Sequence, residues 1–85
     1  MKLTLKYFAS LREALGPGGV IEWTPSAAPT AAALRAWLQT GSDAHARALA
    51  PGRAVRVAVD QVLADDATAL HDGAEVAFFP PVTGG

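Results

Sequence analysis

The residues best suited to chemistry lie at the C-terminal end, Phe78-Phe79-Pro80-Pro81-Val82-Thr83-Gly84-Gly85. Gly84-Gly85 presents a carboxylate on a stalk without side chains. Glycine's missing Cβ lets backbone pass through a slot too narrow for any other residue. Pro80 and Pro81 fix φ and have no N–H, so they are expected to end the preceding strand and hold the last residues extended. Residues 80–85 would then reach roughly 20 Å, at about 3.3 Å per residue. A free α-carboxyl has a pKa of about 3.3–3.7, so at neutral pH it is ionised and inert to nucleophiles until a leaving group is attached. Gly-Gly alone also fits a frayed terminus; the aromatic pair and double proline before it favour a working tail.

The chain has no cysteine, which excludes disulfides, thiolate metal sites, a cysteine nucleophile and a cysteine persulfide. The leading place for an activated group is therefore the Gly85 carboxylate. His45 and His71 are isolated and are not expected to catalyse or to bind metal. Asp60, Asp65, Asp66, Asp72 and Glu75 could suggest a cation site, but their turn-like contexts favour bonds to nearby backbone and solvation. No Ser/His/Asp set has motif context, and Gly16-Pro17-Gly18-Gly19 lacks the lysine and helix of a phosphate-binding loop.

Positioning such a tail requires a folded body. Leu3, Leu5 and Tyr7 alternate with Lys2, Thr4 and Lys6, as in a half-buried strand. Ser10-Leu11-Arg12-Glu13 reads as a capping box, with Leu11, Ala14 and Leu15 forming a short helical face. Gly16 to Gly19 should stop that helix, and Val20 to Thr24 should run back antiparallel to the first strand. After a loop over Pro25 to Pro29, Thr30 is placed to cap a helix from about Ala31 to Gln39, whose buried stripe is Leu34, Trp37 and Leu38. Gly41 ends it, and Asp43 to Leu49 suggests a further short helix. Val55, Val57 and Val59 mark a third strand, Val62 to Ala64 a short fourth behind a tight turn, and Glu75 to Phe79 the last, after a turn at His71-Asp72-Gly73.

This order predicts an α+β β-grasp, or ubiquitin-like, fold: a mixed sheet of about five strands wrapped around one main helix. The first and last strands should be parallel neighbours at its centre. The predicted division is a domain over residues 1–79 and an extended tail over residues 80–85. Trp23 and Trp37 are expected in the core. Phe8 and Phe79 are out of phase with the inward residues of their strands and fall at the C-terminal ends of those neighbouring strands. Two exposed phenylalanines beside a tail suggest a docking patch.

Composition narrows the class. Eighty-five residues suffice for one core, and 51% hydrophobic against 18% charged residues hints at apolar surface reserved for a partner. A net charge of -1 with no basic run argues against nucleic-acid or anionic-membrane binding. No apolar stretch could span a bilayer, and Met1-Lys2 opens into a strand pattern rather than a signal peptide, so a cytoplasmic location is expected.

The octapeptide Phe78 to Gly85 resembles the C-terminal end of the MoaD/ThiS sulfur-carrier family, specifically small subunits of molybdopterin synthase. Tyr7-Phe8-Ala9-Ser10-Leu11-Arg12-Glu13 and Asp72-Gly73-x-Glu75-Val76-Ala77 are also similar to that family, and the likeness covers essentially the whole chain. The resemblance implies that an E1-like adenylating enzyme of the MoeB type converts the Gly85 carboxylate to an acyl-adenylate. A sulfur donor, such as a cysteine desulfurase or rhodanese, then makes it a thiocarboxylate. The tail, with Gly84 threading and Pro80, Pro81, Val82 and Thr83 contacting the partner, enters the large subunit of molybdopterin synthase. There the sulfur passes to cyclic pyranopterin monophosphate. The same resemblance makes Phe8, Leu63 and Phe79 the candidate interface, places the catalytic groups on the large subunit, and implies no stably bound cofactor, only covalent AMP and thiocarboxylate states of Gly85. A carrier for thiazole, cysteine or tRNA thiolation, a ubiquitin-like modifier and a plain interaction module remain alternatives.

Overall fold

The computed structural model describes residues 1–81. One five-stranded sheet runs in the order β2-β1-β5-β3-β4. β1 (Lys2–Tyr7) turns Leu3, Leu5 and Tyr7 into the core, as the alternation requires. The chain then bends at Ala9, whose φ of 52° is unusual for a residue with a Cβ. This bend opens α1 (Ala9–Leu15) two residues earlier than the capping box suggests. Ser10 therefore lies inside the helix, the N-cap position falls on Phe8, and no side chain caps the end. The expected capping box does not form. Leu11 is buried and Leu15 packs against the core, but Ala14 faces solvent, so the predicted three-residue face has two members.

Gly16 ends α1 as expected, with its N–H donating to the Arg12 carbonyl at 2.8 Å. β2 (Gly18–Glu22) starts two residues before the predicted strand and ends two residues before its predicted close. The glycines expected in the turn are instead laddered onto β1, Gly18 opposite Lys6 and Gly19 opposite Leu5. Closeness is the reason: a Cβ on Gly18 would collide with the Leu5 carbonyl, and its φ of 99° suits only glycine. Gly18→Ala should therefore lower stability by about 1–3 kcal/mol. Denaturant unfolding of the two proteins reads this directly, and an unchanged midpoint would refute the close approach.

α2 (Ala31–Leu38) opens on Thr30, whose hydroxyl accepts from the Ala33 N–H at 3.1 Å. Leu34 and Leu38 are buried, whereas Trp37 is 41% exposed and lies at the margin of the stripe. It covers Trp23, a true core residue, with ring centroids 6.1 Å apart. The expectation of two core tryptophans thus holds for one. α3 (Asp43–Ala48) is capped by Ser42. Arg35 reaches from α2 to pin the segment after α3, donating from Nε to the Leu49 carbonyl at 2.8 Å and from Nη2 to the Ala50 carbonyl at 2.6 Å.

β3 (Arg56–Val59) and β4 (Val62–Ala64) form a hairpin through Asp60 and Gln61, both at positive φ. β5 (Glu75–Phe79) lies between β1 and β3, parallel to the first and antiparallel to the second. Val76 and Phe78 enter the core from β5, where Phe78 stacks on Tyr7 with centroids 6.2 Å apart. The inner face of the sheet thus closes over a core to which α1 gives Leu11, α2 Leu34 and Leu38, and α3 Ala48.

Candidate docking face and tail root

Strand register assembles the candidate face. On the outer side, Lys6 lies opposite Ala77, Ala77 opposite Ala58, and Ala58 opposite Leu63. The next row places Phe79 opposite Arg56. Phe8 comes directly after Tyr7, which is level with Phe78, and its N–H donates to the Phe78 carbonyl at 3.2 Å. The two phenylalanines therefore leave neighbouring strands at the same end. Phe8 is 46% exposed, Phe79 half-buried and Leu63 64% exposed. The structure thus brings all three to one side of the sheet, with Leu63 three strands from β1, roughly 14 Å across at about 4.8 Å per strand.

Small side chains at Ala58 and Ala77 floor the space between them, two residues the sequence reading did not single out. The signal was there: a two-residue turn at Asp60-Gln61 fixes Leu63 opposite Ala58, and hence in phase with Ala77. The rim is charged, with Arg56 at one side and a Lys6–Glu75 ion pair of 2.9 Å at the other. An exposed pair of this kind adds little to stability. Its position suits it to orient a partner over the apolar strip.

Pro80 and Pro81 come straight after β5, half-buried, and β5 ends at Phe79 as the prolines require. Pro81 borders a cavity of about 600 Å³ shared with Arg56, Val57 and Ala64. The remaining predicted tail residues, Val82, Thr83, Gly84 and Gly85, lie outside the described residues.

Three of the acidic residues, Asp60, Asp65 and Asp72, bond backbone N–H groups. Asp65 accepts from the Ala67 N–H at 2.9 Å, and Asp72 from the Lys2 N–H at 2.6 Å. Asp60 accepts from the Glu75 N–H at 3.0 Å through Oδ1 and meets His71 Nε2 at 2.7 Å through Oδ2. His45 bonds the Ser42 hydroxyl through Nδ1 at 2.7 Å. Among the described residues no group of three or more His, Asp or Glu could hold a metal ion, and no helix is long and apolar enough to cross a membrane.

The Glu75 N–H, and then His71, hold the Asp60 carboxyl below the usual carboxylate value, and the bond to Asp60 raises His71 above the ordinary histidine value of 6.5. A raised histidine pKa stabilises the fold fully below the unfolded value, and that contribution fades as pH rises through the folded one. A lowered carboxyl contributes above its unfolded value and loses this as pH falls. The pair should thus stabilise most between about pH 4 and pH 6.5. His71→Gln is expected to flatten the fall in Tm between pH 6 and pH 8; an unaltered profile would remove the pair as its cause.

A mixed five-stranded sheet gripping a helix, with its first and last strands parallel at the centre, defines a ubiquitin-like β-grasp domain. The crystal structure of SAMP1 from Haloferax volcanii shares this fold over the full length of both chains, with a TM-score of 0.77 at 24% identity. The chain belongs to the ThiS family, which matches it over residues 5–85. It is 46% identical over 81 residues to the molybdopterin synthase sulfur carrier subunit of Escherichia coli (strain K12), covering 93% of this chain and 94% of that protein. The complex of subunits 1 and 2 of molybdopterin-converting factor from Helicobacter pylori 26695 contains a chain matched along its whole length, as is this one, with a TM-score of 0.67 and 27% identity.

Proposed function

We propose that this chain is the sulfur-carrying small subunit of a molybdopterin synthase, acting in the cytoplasm. The observation that carries this reading is the 46% identity, over nearly the whole of both chains, to the E. coli sulfur carrier subunit. The absence of cysteine and the Gly84-Gly85 ending support it by leaving a backbone carboxylate as the place for sulfur. In this reading the Gly85 carboxylate attacks the α-phosphorus of ATP under an E1-like enzyme, releasing pyrophosphate and forming an acyl-adenylate. Sulfide displaces AMP and leaves a thiocarboxylate directly; a donor persulfide displaces AMP to give an acyl disulfide, which a second thiol reduces to the thiocarboxylate. The large subunit docks on the Phe8, Phe79 and Leu63 face, the thiocarboxylate sulfur bonds to cyclic pyranopterin monophosphate, and water cleaves the resulting thioester, leaving the sulfur on the pterin and restoring the carboxylate.

The protein's own part is positional. The apolar strip anchors the body, the prolines aim the tail, and glycine keeps its end slim enough for two different active sites. Acid–base groups are not required of this chain, in keeping with its turn-bound aspartates and hydrogen-bonded histidines. Intact-mass analysis after incubation with an E1-like enzyme, ATP and a sulfur source tests the proposal. Exchange of one oxygen for sulfur within the last peptide is expected. Sulfur elsewhere in the chain, or none, would overturn it.

A further inference from the structure

We propose that the open edge of β2 is a self-pairing surface, through which two copies of this chain associate antiparallel about Val20. β2 ends the strand order, and of its residues only Ile21 is partly shielded. Its ladder to β1 is flanked by bonds from the Trp23 N–H to the Met1 carbonyl and from the Tyr7 N–H to the Pro17 carbonyl. By alternation Gly19 and Ile21 then face β1, while Val20 and Glu22 turn their N–H and C=O groups outward. Among the described residues nothing caps those groups. The usual protections of an edge, a lysine or proline within the strand, are missing from Gly18–Glu22.

The core is also open here. A cavity of about 340 Å³ lies behind β2, bordered by Leu15, Gly19, Ile21, Trp37 and Leu38. Trp37 and Val20, 64% exposed, are two of the large apolar side chains left at the surface.

The strand is complementary to itself, which favours a second copy over an unrelated strand. A two-fold axis at Val20 sets Val20 against its counterpart, Ile21 against the partner's Gly19, and Glu22 against the partner's Gly18. Each bulky side chain beyond the central pair meets a glycine. Ile21 from the partner would extend over the cavity wall that Gly19 leaves bare, and the two valines form a β-branched cross-strand pair on the outer face. Glu22 meets no like charge and lies across Gly18 from Lys6. Phe79 and Leu63 sit two and four strands away, so a dimer built this way leaves them accessible.

Sedimentation equilibrium of the whole chain, from about 10 µM to about 1 mM to span weak small interfaces, tests this. The mass should climb toward twice that of the monomer. Val20→Lys places like charges on the axis and should hold the chain monomeric, as should Val20→Glu; mixing the two should restore the dimer. Hydrogen exchange on the unaltered protein gives a second readout, with protection of the Val20 and Glu22 amides rising with concentration. A monomer mass throughout, or a dimer that persists in both single variants, overturns the proposal. So does β2 protection that appears only on adding the large subunit, which would assign the edge to that partner.

Discussion

Phe79→Asp should cut the affinity of this chain for a molybdopterin synthase large subunit by about thirtyfold or more and leave the domain folded. The figure rests on about 2 kcal/mol for truncating an aromatic anchor, to which a buried charge adds its desolvation cost. Its neighbour should behave in the opposite way. Phe78 is buried and stacked on Tyr7, so Phe78→Ala should cost about 3–5 kcal/mol of stability. For a domain of this size that lowers Tm by roughly 15 °C or more. Strand alternation alone separates the two outcomes, since consecutive residues face opposite sides of β5. Titration calorimetry and thermal melts of both variants decide the matter. A collapse of Tm in Phe79→Asp with binding intact would mean that the two faces of the sheet had been exchanged.

Removing Gly85 should lower the rate of thiocarboxylate formation by about a hundredfold or more, although a carboxylate remains at Gly84. Under the proposed cycle the shortened tail would fall about 3.3 Å short of the adenylating site. Misplacement of a reacting group by as little as about 1 Å can cost 10²-fold. Gly84→Ala should impair the same step by obstructing a channel sized for glycine. Neither change should move Tm, because both positions follow β5 in the sequence by five residues or more. Single-turnover adenylation assays paired with melts test this. Normal rates for both variants would dismiss the requirement for a slim tail of fixed reach.

Alternation made the sheet legible in the sequence. Leu3, Leu5 and Tyr7, then Val76 and Phe78, announce two half-buried strands, and their register comes from the central parallel pair. Thr30 announced its helix because a hydroxyl at that point has one useful partner, the Ala33 N–H. The misreadings share a cause, which is that local chemistry was overruled by a tertiary neighbour. Gly18 and Gly19 look like a turn but form strand because β1 passes too close for any Cβ. Ser10 could cap a helix, but the bend at Ala9 starts the helix before it. Trp37 has the spacing of a core residue, yet Trp23 already fills that part of the core. At the candidate face, the phase of Phe8 and Phe79 was readable within single strands. The nearness of Leu63 depended on pairing across three more.

The parallel pairing of β1 with β5 also governs when the domain can form. The two strands lie at opposite ends of the sequence, and the bond from the Lys2 N–H to Asp72 spans 70 positions. On a ribosome adding about 5–20 residues per second, β1 waits through nearly the whole synthesis for its central partner. Before then only β2 can ladder to it, and an isolated hairpin is marginal in water. A nascent chain that stops short of Phe79 therefore lacks the sheet's middle and remains a substrate for proteolysis. Truncated translation products are thus expected to be degraded rather than to accumulate beside the finished chain.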